Sequence, residues 1–274
     1  MTEHSAIDLY LDLMAKILTR YGFEGRNVTV TFPSHSYPSY LWRLLRAEFG
    51  EHDVRLVEQG EFDAGRREQG RDWPADAETM IGMARLTNLR YCIENVIHDS
   101  VPGDLIETGV WRGGATIYMR AILKAHDITD RVVWAADSFE GLPRADPRFS
   151  ADIGDQHHTR GELAISVDQV RENFARYGLL DDQVQFLVGW FEDTLPGASI
   201  EQLAVLRLDG DMYGSTIQAL EALYDKVSIG GYVIVDDYGA VPACAKATDD
   251  FRSEAGVSAP LEAVDWTGVY WRKT

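Results

Sequence analysis

Between residues 7 and 18, apolar side chains fall at Ile7, Leu9, Tyr10, Leu13, Met14, Ile17 and Leu18, a spacing that predicts an amphipathic helix. Residues 27–32 then alternate as a short strand, 40–49 read as a helix and 54–57 as a further strand, with an aromatic-rich stretch over 32–42 expected to pack this unit. Residues 58–74, dense in Gly, Arg and acids, predict a mobile connector, and a long helix is expected over 77–97. From residue 105 the pattern becomes regular. Apolar runs of β type cover 105–110, 132–136, 184–188, 205–208 and 232–235, and helical segments cover 115–125, 167–177 and 217–227. Strands buried on both faces and separated by crossover helices make a doubly wound parallel sheet. Residues 261–264 and 269–271 flank Asp265-Trp266-Thr267-Gly268 and predict a closing antiparallel hairpin with Gly268 in its turn. The expected organisation is an α/β chain with an N-terminal helical and mixed appendage, cap and connector over 1–75, and a sheet domain over 76–274.

Composition narrows the possible partners. A chain of 274 residues that is 45% hydrophobic has ample core and is not a disordered segment. Its 44 acidic residues against 26 basic ones give a net charge of −18, which argues against nucleic acid or an anionic membrane as partner. Cys92 and Cys244 are too few for a disulfide framework and are expected as core thiols in a reducing compartment. The chain opens without a basic segment leading into an apolar one, and no stretch nears about 18 uninterrupted apolar residues, so a soluble cytoplasmic protein is the expectation.

The candidate chemistry lies at the ends of the predicted strands. The first ends in Glu107-Thr108-Gly109-Val110-Trp111-Arg112-Gly113-Gly114, a glycine-rich turn at the carboxyl edge, where α/β sheets bind ligands. The spacing G-x-x-x-G-G is neither the dinucleotide fingerprint nor a P-loop. Glu107 at its entrance repels phosphate and suits a cationic amino group such as that of S-adenosylmethionine (SAM). Asp137, ending the second strand beside Ser138, can accept the ribose hydroxyls, and Gly189, Trp190 and Phe191 after the third can flank an adenine.

Two later strands end in acids, Asp209 and Asp211 on one, Asp236 and Asp237 on the other. Fourth and fifth strands are neighbours in the common doubly wound order, so these carboxylates should converge and call for a hard divalent cation, magnesium rather than zinc. Asp209, Asp236 and Asp237 are the expected ligands. Asp211 is the candidate general base, since two-residue spacing in an extended strand end points both side chains to one side. His157 and His158 are expected as surface loop residues, with a lid near the acceptor as the alternative.

At these residues the chain resembles the macrocin O-methyltransferase family, magnesium- and SAM-dependent enzymes that methylate sugar hydroxyls on glycosylated antibiotics. The resembling stretches are RDWPADAETMIGMARLTNL from Arg71, GDLIETGVWRGGATIYMRAIL, ADSFEGLP, LRLDGDMYGST and VIVDDYG. The resemblance implies a class I methyltransferase fold, Rossmann-like, with seven strands of which the last is antiparallel, and a homo-oligomer. It matches Asp209, Asp236 and Asp237 to metal ligands and Asp211 to a proposed base. Glu107, Gly109, Asp137 and the Met80-Ile81 backbone match cofactor-contacting stretches. Residues 21–60 match no pattern of the family, which leaves the acceptor open between a deoxysugar and another vicinal diol such as a catechol. A SAM-binding protein without catalysis is a further alternative, disfavoured by the four acids, and a nicotinamide oxidoreductase is disfavoured by the glycine spacing.

Overall fold

The structure is a computed structural model that describes residues 5–23, 26–29 and 57–274; for Arg26–Thr29 and Val57–Gly60 it describes the backbone. In chain order the elements are α1 (Ala6–Leu18), β1 (Arg26–Thr29), β2 (Val57–Gly60), α2 (Ala64–Glu68), α3 (Met83–His98), β3 (Asp104–Thr108), α4 (Gly114–Ala125) and β4 (Val133–Asp137). They continue with α5 (Val167–Arg176), β5 (Val184–Val188), α6 (Phe191–Thr194), β6 (Leu203–Leu208), α7 (Tyr213–Leu223), β7 (Val227–Val235), α8 (Pro242–Glu254), β8 (Glu262–Ala263) and β9 (Val269–Arg272).

The main sheet has seven strands in the order β5-β4-β3-β6-β7-β9-β8. The first five are parallel, and the closing β8–β9 hairpin adds β9 antiparallel to β7. Alternation along the strands splits the core into two layers. Leu105, Val133, Val205 and Ile234 pack with α1, α3 and α4 on one face. Ile106, Leu206, Val233 and Val235 pack with α7 and with Trp271 on the other. This is the fold class expected from the strand pattern. Cys92 and Cys244 are both buried free thiols. No helix among the described residues is long and apolar enough to cross a membrane.

Several local expectations need correction. Helix α1 buries Leu11, Met14, Ala15 and Leu18 in the core shared by α3 and α4, so a boundary at residue 75 cuts through one hydrophobic layer. The connector is not a loose link. It contains β2, paired antiparallel with β1, and α2, whose Arg67 is fully buried and donates from Nη2 to the carbonyls of Met80 and Ile81 at 2.8 and 2.7 Å. The long helix starts at Met83 rather than 77, because Gly82 is extended and wedged where a Cβ would strike the backbone of Gly70 and Glu68. Helix α7 begins four residues before its predicted start, and α8 follows a strand end whose acids drew attention away from it. The expectations for 30–32, 40–49, 54–56 and the aromatic 32–42 lie outside the described residues.

Gly109 brings the strand ends together. Its φ is +93°, and a Cβ there would lie 1.7 Å from the carbonyl oxygen of Asp209. Only glycine lets β3 and β6 end this close. Gly109→Ala should therefore lower folding stability by about 2–6 kcal/mol, combining left-handed strain with overpacking, and a thermal melt of the variant measures it.

Candidate active site

Arg207, next to the last residue of β6, is 1% exposed. A buried guanidinium requires charge and hydrogen-bond partners, and the parallel register supplies them. Glu107 is its partner residue across β3, and Arg207 Nη1 bonds both Glu107 Oε1 and Asp209 Oδ2, the latter at 2.7 Å. Its Nη2 bonds Asp236 Oδ1. A second arginine, Arg85 of α3, bonds the other oxygen of Asp236 through Nη1 and pairs through Nε with Asp265 Oδ2 at 3.0 Å. Asp265 is itself set by the hairpin turn, where its Oδ1 accepts the N–H groups of Thr267 and Gly268. Gly268 has a further role there, since a Cβ would press on the Arg85 side chain at 3.2 Å.

The three expected ligands come together. Asp209, Asp236 and Asp237 offer one carboxylate oxygen each, all within 4.8 Å of one another. Asp236 is buried with both oxygens engaged by arginines, whereas Asp237 Oδ2 receives the backbone N–H of Asp211 at 3.3 Å. Against two arginines stand Glu107, Asp209, Asp211, Asp236, Asp237 and Asp265, so the cluster carries an excess of negative charge. Burial, and then Asp211, Asp209 and Asp236, hold the Asp237 carboxyl well above the usual carboxylate range. Burial followed by Asp236 also raises Asp209, with Arg207 opposing. An oxygen-only donor set with uncompensated charge fits a hard divalent cation such as magnesium.

Asp211 departs from the expected geometry. Strand β6 ends at Leu208, and Asp211 sits in a left-handed turn with φ +55°, a conformation that Asp tolerates better than most residues. The extended-strand argument does not apply. The turn nonetheless keeps Asp211 beside the cluster: its carboxyl is pushed up to about 6, by burial first and then by Asp209, with His157 acting in the opposite sense.

The expected cofactor residues surround the glycine turn in unequal roles. Glu107 is buried, with Oε1 on Arg207 and Oε2 without a hydrogen-bond partner among the described residues. Asp137 works mainly on its own chain. Its Oδ2 accepts from Val110 N at 2.7 Å and Trp111 N at 3.4 Å, and its Oδ1 from Phe139 N at 2.7 Å. Ser138 donates to the Gly141 carbonyl at 2.7 Å, inside its own turn. Gly189, with φ +138°, donates to the Asp137 carbonyl at 2.9 Å, which brings the β5 end beside β4. Trp190 is exposed, and Phe191 reaches the site of Gly210. Met80 and Ile81 lie next to the turn, since Gly114 N donates to the Glu78 carbonyl at 3.0 Å, but their carbonyls face Arg67. Sequence reading missed Arg207, Arg85 and Arg67. The available signal was an arginine inside the apolar run VLRLD, which cannot be buried unpaired.

Residues 7–273 match the family described as macrocin-O-methyltransferase (TylF). The chain belongs to the macrocin O-methyltransferase family. It is a methyltransferase with a class I methyltransferase fold. It is 51% identical over 276 residues to the 8-demethyl-8-(2,3-dimethoxy-alpha-L-rhamnosyl)-tetracenomycin-C 4'-O-methyltransferase of Streptomyces olivaceus, covering 100% of this chain and 95% of that one. It is 49% identical to the demethyldecarbamoylnovobiocin O-methyltransferase of Streptomyces niveus, covering 99% and 95%. Among solved structures it superposes on the O-methyltransferase NovP with a TM-score of 0.84 at 47% identity, covering 98% of this chain and 99% of that one. These relatives are O-methyltransferases, which disfavours the nicotinamide oxidoreductase alternative.

The Glu107 carboxyl is pushed up to about 8 from an ordinary 4.5, by burial first, with Arg207 opposing. A folded-state value above the unfolded one means that the associated stability is full below about pH 4.5 and is lost as pH rises through about 8. The near-isosteric Glu107→Gln removes this loss. Thermal melts of the metal-free protein should show the variant gaining on the wild type steadily from pH 5 to pH 8.

Proposed function

We propose that this protein is a SAM- and magnesium-dependent O-methyltransferase acting on a hydroxyl of a deoxysugar carried by a glycosylated secondary metabolite. The observation that carries the reading is the convergence of Asp209, Asp236 and Asp237 within 4.8 Å at neighbouring strand ends, with Asp211 alongside. Binding SAM alone requires no such cluster. Similarity to the rhamnosyl-tetracenomycin 4'-O-methyltransferase and the demethyldecarbamoylnovobiocin O-methyltransferase supports a sugar as the acceptor.

In this reading the donor lies over the glycine turn. Gly109 admits close backbone approach, and Glu107 Oε2 is the buried acceptor for the donor's ammonium group. Asp137 shapes the turn from below, and the residues Met80-Ile81 and Gly189 to Phe191 flank it. SAM supplies an electrophilic methyl group on a sulfonium. Magnesium held by Asp209, Asp236 and Asp237 would acidify and orient two adjacent sugar oxygens. Arg207 and Arg85 hold both oxygens of Asp236 in place, so the ligand set does not reorganise. Asp211, with its carboxyl near neutrality, takes the hydroxyl proton as the methyl–oxygen bond forms and the methyl–sulfur bond breaks.

The test is turnover of labelled SAM with 8-demethyl-8-(2,3-dimethoxy-alpha-L-rhamnosyl)-tetracenomycin C, the substrate named for the Streptomyces olivaceus relative. Methyl transfer to the sugar is expected, with loss on chelation and recovery on adding magnesium; a rate indifferent to the chelator rejects the metal assignment. Asp211→Asn should keep SAM affinity and lower kcat by about 10²–10⁴-fold, as for loss of a positioned base. A near-normal rate in that variant at neutral pH excludes Asp211 as the base.

A further inference from the structure

The segment from Ser138 to Ser166 between β4 and α5 carries two histidines that the acid cluster does not use. It contains three single 3₁₀ turns, Ser150–Asp152, His157–Thr159 and Gly161–Leu163. Two anchors pin it. Asp152 is buried and accepts the N–H groups of Tyr213 at 2.7 Å and Gly214 at 2.8 Å, so its carboxylate caps the start of α7 immediately after Asp211. Phe149 packs on Tyr213 at the same place, with ring centroids 5.7 Å apart. At the other anchor, Trp111 Nε1 donates to the Glu162 carbonyl at 2.9 Å and ties the segment to the glycine turn.

Between the anchors Asp155 organises His157. Its Oδ1 accepts the His157 backbone N–H at 2.8 Å, and its Oδ2 lies 2.6 Å from the ring Nδ1. These contacts fix the ring plane and leave Nε2 as its remaining polar atom. His157 is half-buried rather than on the open surface, and its segment is held by Asp152 against the start of α7, two residues beyond Asp211. His158, also half-buried, leaves Nδ1 without a hydrogen-bond partner among the described residues. The segment anchored beside the turn that carries Asp211 thus presents a polar edge.

We infer that His157, oriented by Asp155, contacts the acceptor: its Nε2 hydrogen-bonds a sugar oxygen adjacent to the hydroxyl that is methylated. The inference rests on the proposed sugar O-methyltransferase reading and deepens it by naming a residue that selects the acceptor. The oxygen on the carbon next to the reacting one, hydroxyl or methoxy, lies within reach of a group beside the first, and a fixed imidazole discriminates against acceptors lacking it. Asp155 is a positioning residue, acting through the ring.

Calorimetric titration of the same rhamnosylated tetracenomycin into protein saturated with S-adenosylhomocysteine, with magnesium present, tests this without turnover. His157→Gln and His157→Ala should weaken acceptor binding by roughly tenfold, and Asp155→Asn by somewhat less, in line with loss of one oriented hydrogen bond. S-adenosylhomocysteine affinity should hold in all three and reports an intact fold. In turnover, KM for the acceptor should rise more than kcat falls. Acceptor affinity equal to wild type in the His157 variants overturns the inference, as does a fall in kcat at unchanged affinity, which would put His157 in proton transfer instead. If the His157 variants lose S-adenosylhomocysteine affinity, the acceptor affinity of Asp155→Asn decides in the same way. Wild-type protein that binds S-adenosylhomocysteine but not the glycoside removes the acceptor class and this inference together, an outcome distinct from failure of the variants alone.

Discussion

One buried guanidinium fastens the site. Arg207 bonds Glu107 on β3, Asp209 beyond β6 and Asp236 beyond β7, so three strand ends share one cation. Arg85 extends the network from Asp236 to Asp265, adding α3 and the closing hairpin. Removing one partner of such a buried pair costs about 3–5 kcal/mol, because the charge left behind has no solvent to return to. That cost is what keeps several mutually repelling carboxylates within reach of one another in the folded chain.

The network also makes the acids unequal. Asp236 is held through both oxygens and Asp209 through one, whereas Asp237 makes no hydrogen bond to an arginine among the described residues. Asp237 and Asp211 are therefore the acids least engaged by the arginines. In the proposed mechanism this asymmetry fixes Asp236 and Asp209 as ligands of set position and leaves Asp237 and Asp211 freer to adjust to the cation and the hydroxyl.

The same division recurs around the donor. Asp137 and Ser138 spend hydrogen-bonding capacity on neighbouring backbone, and Arg67 draws the Met80 and Ile81 carbonyls towards α2. These residues shape the turn by which a donor would lie, while Glu107 keeps a buried oxygen unpartnered. The segment carrying Asp155 and His157 is pinned to the glycine turn by Trp111 and to α7 by Asp152, and thus spans the two halves of the site.

The sequence by itself determined the parallel strands, the closing hairpin, the glycine turn and the acids at successive strand ends. Each of these is written in local periodicity or residue type: an apolar run of β character, a glycine that must be left-handed, an aspartate following a strand. Arg207 lies in the same run as Asp209 and was legible only as an anomaly, because its partner Glu107 is 100 residues away and is fixed by strand register. The left-handed turn at Asp211, the late start of α3 at Gly82 and the burial of Arg67 were likewise decided by tertiary structure. So was the pairing of the His157 ring with Asp155 on a segment anchored to α7. Local spacing limits which face a side chain takes, but which distant charge it meets there depends on how the sheet registers and how the loops are anchored, and that is a property of the folded chain.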